Sequence, residues 1–73
     1  MKVNEMNDSQ LIFAAQAMAS FGGEFVRQIA RAFYAADNSN RARLVAAFPE
    51  LFEKFGPGSM YFEHVMARES EVA

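Results

Sequence analysis

The sequence predicts an all-α fold: a long N-terminal helix bent at Gly22–Gly23, followed by two or three short helices, in a single domain over residues 1–73 assembled as a homodimer. Three observations lead there. Apolar residues recur at spacings of three and four through the first half. Turn and capping residues cut the second half into short helical segments. The chain also carries more apolar surface than so few residues enclose easily.

The elements follow in order. Residues 1–7 are polar and predict a frayed start. Asn7, Asp8 and Ser9 then offer N-caps before a run dominated by Ala, Leu, Met and Gln, so a helix is expected from about Ser9. Gly22 and Gly23 pose the main question, because a double glycine either ends a helix or lies within one. Leu11, Ala15, Met18, Gly22, Phe25, Ile29, Ala32 and Ala36 keep an unbroken seam of alternating four- and three-residue steps across the glycines. A turn has no reason to preserve that register. One helix from about Ser9 to Ala36 is therefore preferred over two helices with a break, although each glycine costs about 1 kcal/mol of helix propensity. Small residues at Ala15, Gly22, Ala32 and Ala36 admit a second helix at close range. Leu11, Ala15, Met18, Gly22, Phe25 and Ile29 are the expected self-interface.

Asp37 to Asn40 form a turn, with Ser39 or Asn40 capping a second helix over Arg41 to Ala47. Pro49 disfavours helix at Phe48 and fits the first position of a short helix, Pro49 to Phe55, stopped by Gly56. Gly56, Pro57 and Gly58 turn the chain again. Ser59 is placed to cap a last helix from Met60 to about Arg68, although Tyr61 and Phe62 also tolerate a strand. A mobile tail is expected over residues 69–73.

Composition excludes several classes of function. There is no Cys and one His, so neither a disulfide nor a common structural zinc site can be built within the chain; no metal and no cofactor is expected. Oligomerisation is then the remaining support for a domain this small. The eight Phe point the same way, since each ring covers roughly 150–250 Å². The most apolar stretch, Leu11 to Phe21, is too short to cross a bilayer, and the first residues lack the basic run of a signal peptide. The expected setting is soluble and cytoplasmic, with no membrane partner.

The formal charge of −2 is unevenly spread. Between Glu24 and Arg43, four Arg stand against Glu24 and Asp37. From Leu44 onward Lys54 and Arg68 face Glu50, Glu53, Glu63, Glu69 and Glu71. A basic middle beside an acidic C-terminal part steers a partner or orients two copies.

Catalytic chemistry finds little support. His64 is the one candidate imidazole base, and no nucleophile-elbow sequence surrounds Ser20, Ser39 or Ser59. Glu50 and Glu53 beside Lys54 read as a solvated face rather than an acid–base pair. Phe21-Gly22-Gly23-Glu24 lacks the lysine and spacing of a phosphate loop. No catalytic residue is assigned. Arg27, Arg31, Arg41 and Arg43 are the polar set worth testing: the first two share a helix face, the others open the second helix, and a reversal near Asp37 brings them toward one corner. Such a corner suits phosphate, nucleic acid or an acidic protein surface. The alternative pairs Arg27 with Glu24 and leaves Arg31 solvated. Leu44, Phe48, Leu51, Phe52 and Phe55, at helical spacing, read as core.

The stretch Asn40-Arg41-Ala42-Arg43-Leu44-Val45-Ala46-Ala47-Phe48-Pro49-Glu50-Leu51-Phe52-Glu53-Lys54-Phe55-Gly56 resembles segments of small helical accessory proteins of phages and prophages. It covers residues 40–56 and assigns no residue a role. What the resemblance implies is a protein that binds and modulates host machinery, defence systems included. The expectation overall is a non-enzymatic interaction module that partners itself and a second protein, with nucleic-acid or nucleotide binding through the arginines as the alternative.

Overall fold

Asn7 starts the first helix. Its side chain accepts the Gln10 backbone N–H at 2.9 Å while Gln10 accepts the Asn7 N–H at 2.9 Å, a reciprocal capping box that satisfies two otherwise orphaned donors. The structure is a computed structural model that describes the backbone of residues 1–72 and the side chains of residues 1–69. Among these residues the chain is all-helical: α1 (Asp8–Phe21), α2 (Glu24–Ala35), α3 (Asn38–Ala47), α4 (Pro49–Lys54) and α5 (Met60–Val72), preceded by a 3-10 turn at Val3–Glu5.

α1 is the axle. α2, α4 and α5 all pack on it, while α3 lies outside, against α2 and α4. Being covered from several sides explains its composition. Ala14, Ala15, Ala17 and Met18 are all fully buried, and three of these four side chains are single methyl groups that let the surrounding helices close in. Ala30 and Phe33 of α2, Phe52 of α4, Val65 of α5, and Met6 and Phe55 from the connecting segments add to the interior. Phe33 and Phe52 meet at 5.3 Å between ring centroids and Phe55 and Tyr61 at 4.9 Å, within the range where aromatic pairs attract beyond their buried area. The expected core set holds, with Phe52 and Phe55 buried and Leu44, Phe48 and Leu51 half-buried.

The single long helix is not formed. Gly22 and Gly23 are both extended, with ψ 163° and −174°, and the chain turns a corner between α1 and α2. The Gly22 N–H closes α1 on the Met18 carbonyl at 2.9 Å, and the Gly23 carbonyl accepts the Arg27 N–H at 2.9 Å to open α2. Folding α2 back onto α1 buries a different line of α2 from the one the seam projected: Val26, Ile29, Ala30 and Phe33 face inward, whereas Phe25 and Ala32 face out. The packing of one helix on the other outweighs the register that a straight helix would keep.

Smaller expectations also shift. The first seven residues are not frayed: Val3–Glu5 form a turn, Met6 is buried, and the Val3 N–H donates to the Glu53 carboxylate at 3.0 Å. Glu53 is thus half-buried and engaged, where a wholly solvated face with Glu50 was expected. α3 begins three residues early, because Asp37 rather than Ser39 or Asn40 caps it, accepting the Asn40 N–H at 2.9 Å. α4 keeps Pro49 at its first position, as expected. Gly58, at φ 96°, supplies the left-handed residue of the turn before α5. Ser59 caps α5, its Oγ accepting the Phe62 N–H at 3.1 Å, and α5 continues past Arg68 to Val72; of the expected mobile tail, Ala73 lies outside the described residues.

Candidate interaction surface

The proposed self-interface does not form one face. Ala15 and Met18 are fully buried within the chain, Leu11 and Ile29 pack half-buried on the core, and Gly22 occupies the corner. Only Phe25 is largely exposed, at 60%. The seam splits because its α1 half supplies the axle of the subunit's own core, while Ala32 stays exposed on α2 and Ala36, just past the end of that helix, is half-buried.

The four arginines do not converge either. Arg27 and Arg31 share a shallow depression with Ala19 and Gln28; Arg43 borders a groove between α2 and α3; Arg41 lies in a cleft beneath the N-terminal turn. Three are also occupied. Arg27 pairs with Glu24 at 2.8 Å, the pairing foreseen as the alternative. Arg43 donates to the Asn40 side chain at 3.2 Å. Arg41 donates from Nε to the Phe33 carbonyl at 2.9 Å and lays its guanidinium 4.7 Å from the Phe33 ring centroid. It thereby satisfies a carbonyl in the last turn of α2 and places a cation at that helix's negative end. A reversal at Ala36–Asp37 does occur, but α2 and α3 diverge from it with their arginines on different sides.

The Gln28 amide and the Arg27 guanidinium, both hydrogen-bonded to Glu24, hold its carboxyl below the ordinary value of 4.5. Burial pushes the Tyr34 phenol up. His64 lies exposed, edge-on to Phe21 at 5.2 Å between ring centroids. Among the described residues no group of three or more His, Asp or Glu side chains gathers to hold a metal ion, and no helix is long and apolar enough to cross a membrane.

The surface instead carries large apolar side chains. Phe21, 42% exposed, touches Tyr61 and His64 of α5, and Met60, 76% exposed, lies one turn before His64 on that helix. Phe25 stands just beyond the glycine corner and meets Phe48 edge-on at 5.7 Å. Exposed aromatics therefore flank the corner on both sides. Sequence reasoning placed Phe25 in an interface but did not place Phe21, Met60, Tyr61 or His64 there. The signal was faint: Phe21 and Met60 each adjoin a helix boundary, where helical periodicity says least about burial.

Comparison with protein-family models, curated proteins and solved structures finds no match to this chain. Fold and surface together define a small all-α protein of five helices among the described residues.

Proposed function

We propose that this protein is a non-enzymatic, cytoplasmic interaction module that associates with itself and with a second protein. The observation that carries this reading is the combination of a filled interior with large apolar groups left outside: Met60, Phe25 and Phe21 are exposed while Phe33, Phe52 and Phe55 are packed away. Apolar groups that the core has no use for are those that a partner covers at the centre of an interface. The resemblance of residues 40–56 to phage and prophage accessory proteins supports a host macromolecule, defence systems included, as the second partner.

Solution mass against concentration tests the reading. Light scattering is expected to give values rising above 8.2 kDa toward high micromolar concentration, with Phe21→Ser and Phe25→Ser lowering the rise while the helical circular dichroism stays unchanged. A folded chain that holds 8.2 kDa throughout, binds no hydrophobic dye and captures nothing from host lysate discards it. Nucleic-acid binding is the weaker alternative, because Arg27, Arg41 and Arg43 already have partners within the chain. It requires an affinity that falls steeply with salt.

A further inference from the structure

The cleft beneath the N-terminal turn, about 730 Å³ in volume, is lined from that turn and from α1, α2, α3 and α4. Sites for small molecules occupy roughly 300–1,000 Å³, and most are apolar with a few polar groups at set positions. This cleft has both. Leu11, Phe33, Val45 and Pro49 supply the apolar lining. The wall formed by the turn is anchored, because the Val3 N–H donates to the Glu53 carboxylate at 3.0 Å and Met6, the next residue past the turn, is buried against Gly56.

The polar groups are Asn4 from the turn, Asp8 from α1, and Asn38 and Arg41 from α3. The chain has four Asn and two Asp. Asn7, Asp37 and Asn40 are engaged by a helix cap or a neighbouring arginine. Among the described residues the side chains of the other three, Asn4, Asp8 and Asn38, have no partner within the chain, and all three line this one cleft. Nor does an ion pair join Asp8 to Arg41. The bond from Arg41 to the Phe33 carbonyl and its place over the Phe33 ring fix a positive charge on the α3 side, opposite in sign to the carboxylate that α1 contributes.

Charges of both signs in one cleft select the occupant. A simple anion meets Asp8, a simple cation meets Arg41, and an uncharged apolar molecule takes water from both and returns nothing. A zwitterion answers each charge with its opposite. The two carboxamides each donate and accept, which is the pattern that a peptide group matches. We propose that this cleft binds a short zwitterionic peptide of apolar residues, its ammonium group on Asp8, its carboxylate on the Arg41 side, its peptide group between Asn4 and Asn38, and its side chains on Leu11 and Val45. This site is independent of self-association.

NMR titration of the full-length chain with leucyl-leucine at neutral pH tests it. The methyl signals of Leu11 and Val45 are expected to shift saturably. Acetylating the ammonium group or amidating the carboxylate of the dipeptide each weakens binding about tenfold, by removing one charge-assisted contact. Asp8→Asn weakens leucyl-leucine by the same factor and leaves the affinity for its acetylated form unchanged, a split that a merely structural role for Asp8 would not produce. Ala46→Leu, which fills the cleft from an exposed position, abolishes binding; Ala47→Leu, the next residue on α3 but outside the cleft, does not. Circular dichroism verifies that each variant is folded. No shift at millimolar leucyl-leucine overturns the site, as do shifts centred on Phe21 and Phe25 instead of Leu11 and Val45. Equal affinity for the acetylated dipeptide overturns the charge selection, and equal affinity for free leucine overturns the peptide as occupant.

Discussion

Arg41 and Glu24 show how far a single side chain can be read. The Arg27–Glu24 pair was visible because three residues on a helix are neighbours whatever the tertiary fold. The bond from Arg41 to the Phe33 carbonyl was not, because it spans the α2–α3 corner and exists only once that corner forms. The structure turns Arg41 from a candidate anion ligand into a brace. Arg41→Ala is expected to cost about 1–2 kcal/mol in urea denaturation, from a lost charge-assisted hydrogen bond and a lost cation–π contact. Arg43→Ala, whose partner is exposed, stays within about 0.5 kcal/mol. Equal costs at the two positions would remove the brace. Glu24 gives a pH signature. Its carboxyl is held below 4.5 in the folded chain, so the contribution to stability is present at neutral pH and is lost as the pH falls below that ordinary value toward the lowered one. NMR titration of Glu24 should show the lowered midpoint moving back up in Gln28→Ala and in Arg27→Ala. Glu24 is fully exposed, so the effect on unfolding is small. An unmoved midpoint would mean that neither partner lowers it.

Among the elements, the α1–α2 junction is where sequence periodicity and structure part. The caps were legible at Asn7, Ser59 and Pro49 because each acts within three or four residues. The corner was not, because the three-and-four spacing across Gly22 and Gly23 describes a straight helix equally well, and only the pull of α2 onto α1 decides between the two. The glycines themselves separate the cases. In a continuous helix, alanine at either position would stabilise by about 1 kcal/mol. In the corner they differ. A Cβ on Gly22 would lie 2.6 Å from the Met18 carbonyl oxygen and against the Val26 side chain, and the backbone atom cannot move aside cheaply. A Cβ on Gly23 meets nothing within 4 Å, and its φ of −74° suits any residue. Gly22→Ala is therefore expected to lower the thermal midpoint, and Gly23→Ala to leave it unchanged or to raise stability by about 0.4–1 kcal/mol through the stiffer unfolded chain. Stabilisation at both sites would restore the long helix.

At the scale of the whole molecule, the composition overstated how much apolar surface goes unhoused. Phe33, Phe52, Phe55 and Phe62 are buried and Phe13 and Phe48 half-buried, leaving Phe21 and Phe25 outside, because α1 is lined with alanines that leave room for rings from its neighbours. No count of phenylalanines reveals that, since it depends on which helices surround which. The Cα radius of gyration of 11.3 Å equals that of a fully compact chain of this length, about 11 Å. The subunit is thus compact by itself, and for the self-association proposed above calorimetry separates two kinds of oligomer. An obligate dimer has no folded monomer, so its midpoint follows concentration closely. A self-sufficient subunit gains only what association adds. Where the partner concentration equals the dissociation constant, that is about 0.4 kcal/mol, or about 2–3 °C for a domain of this size. Dilution from that concentration to the low micromolar range is expected to lower the midpoint by no more than this. A fall of about 10 °C or more would require stabilisation of more than 1 kcal/mol from the partner, and company would then be a condition of folding rather than its consequence.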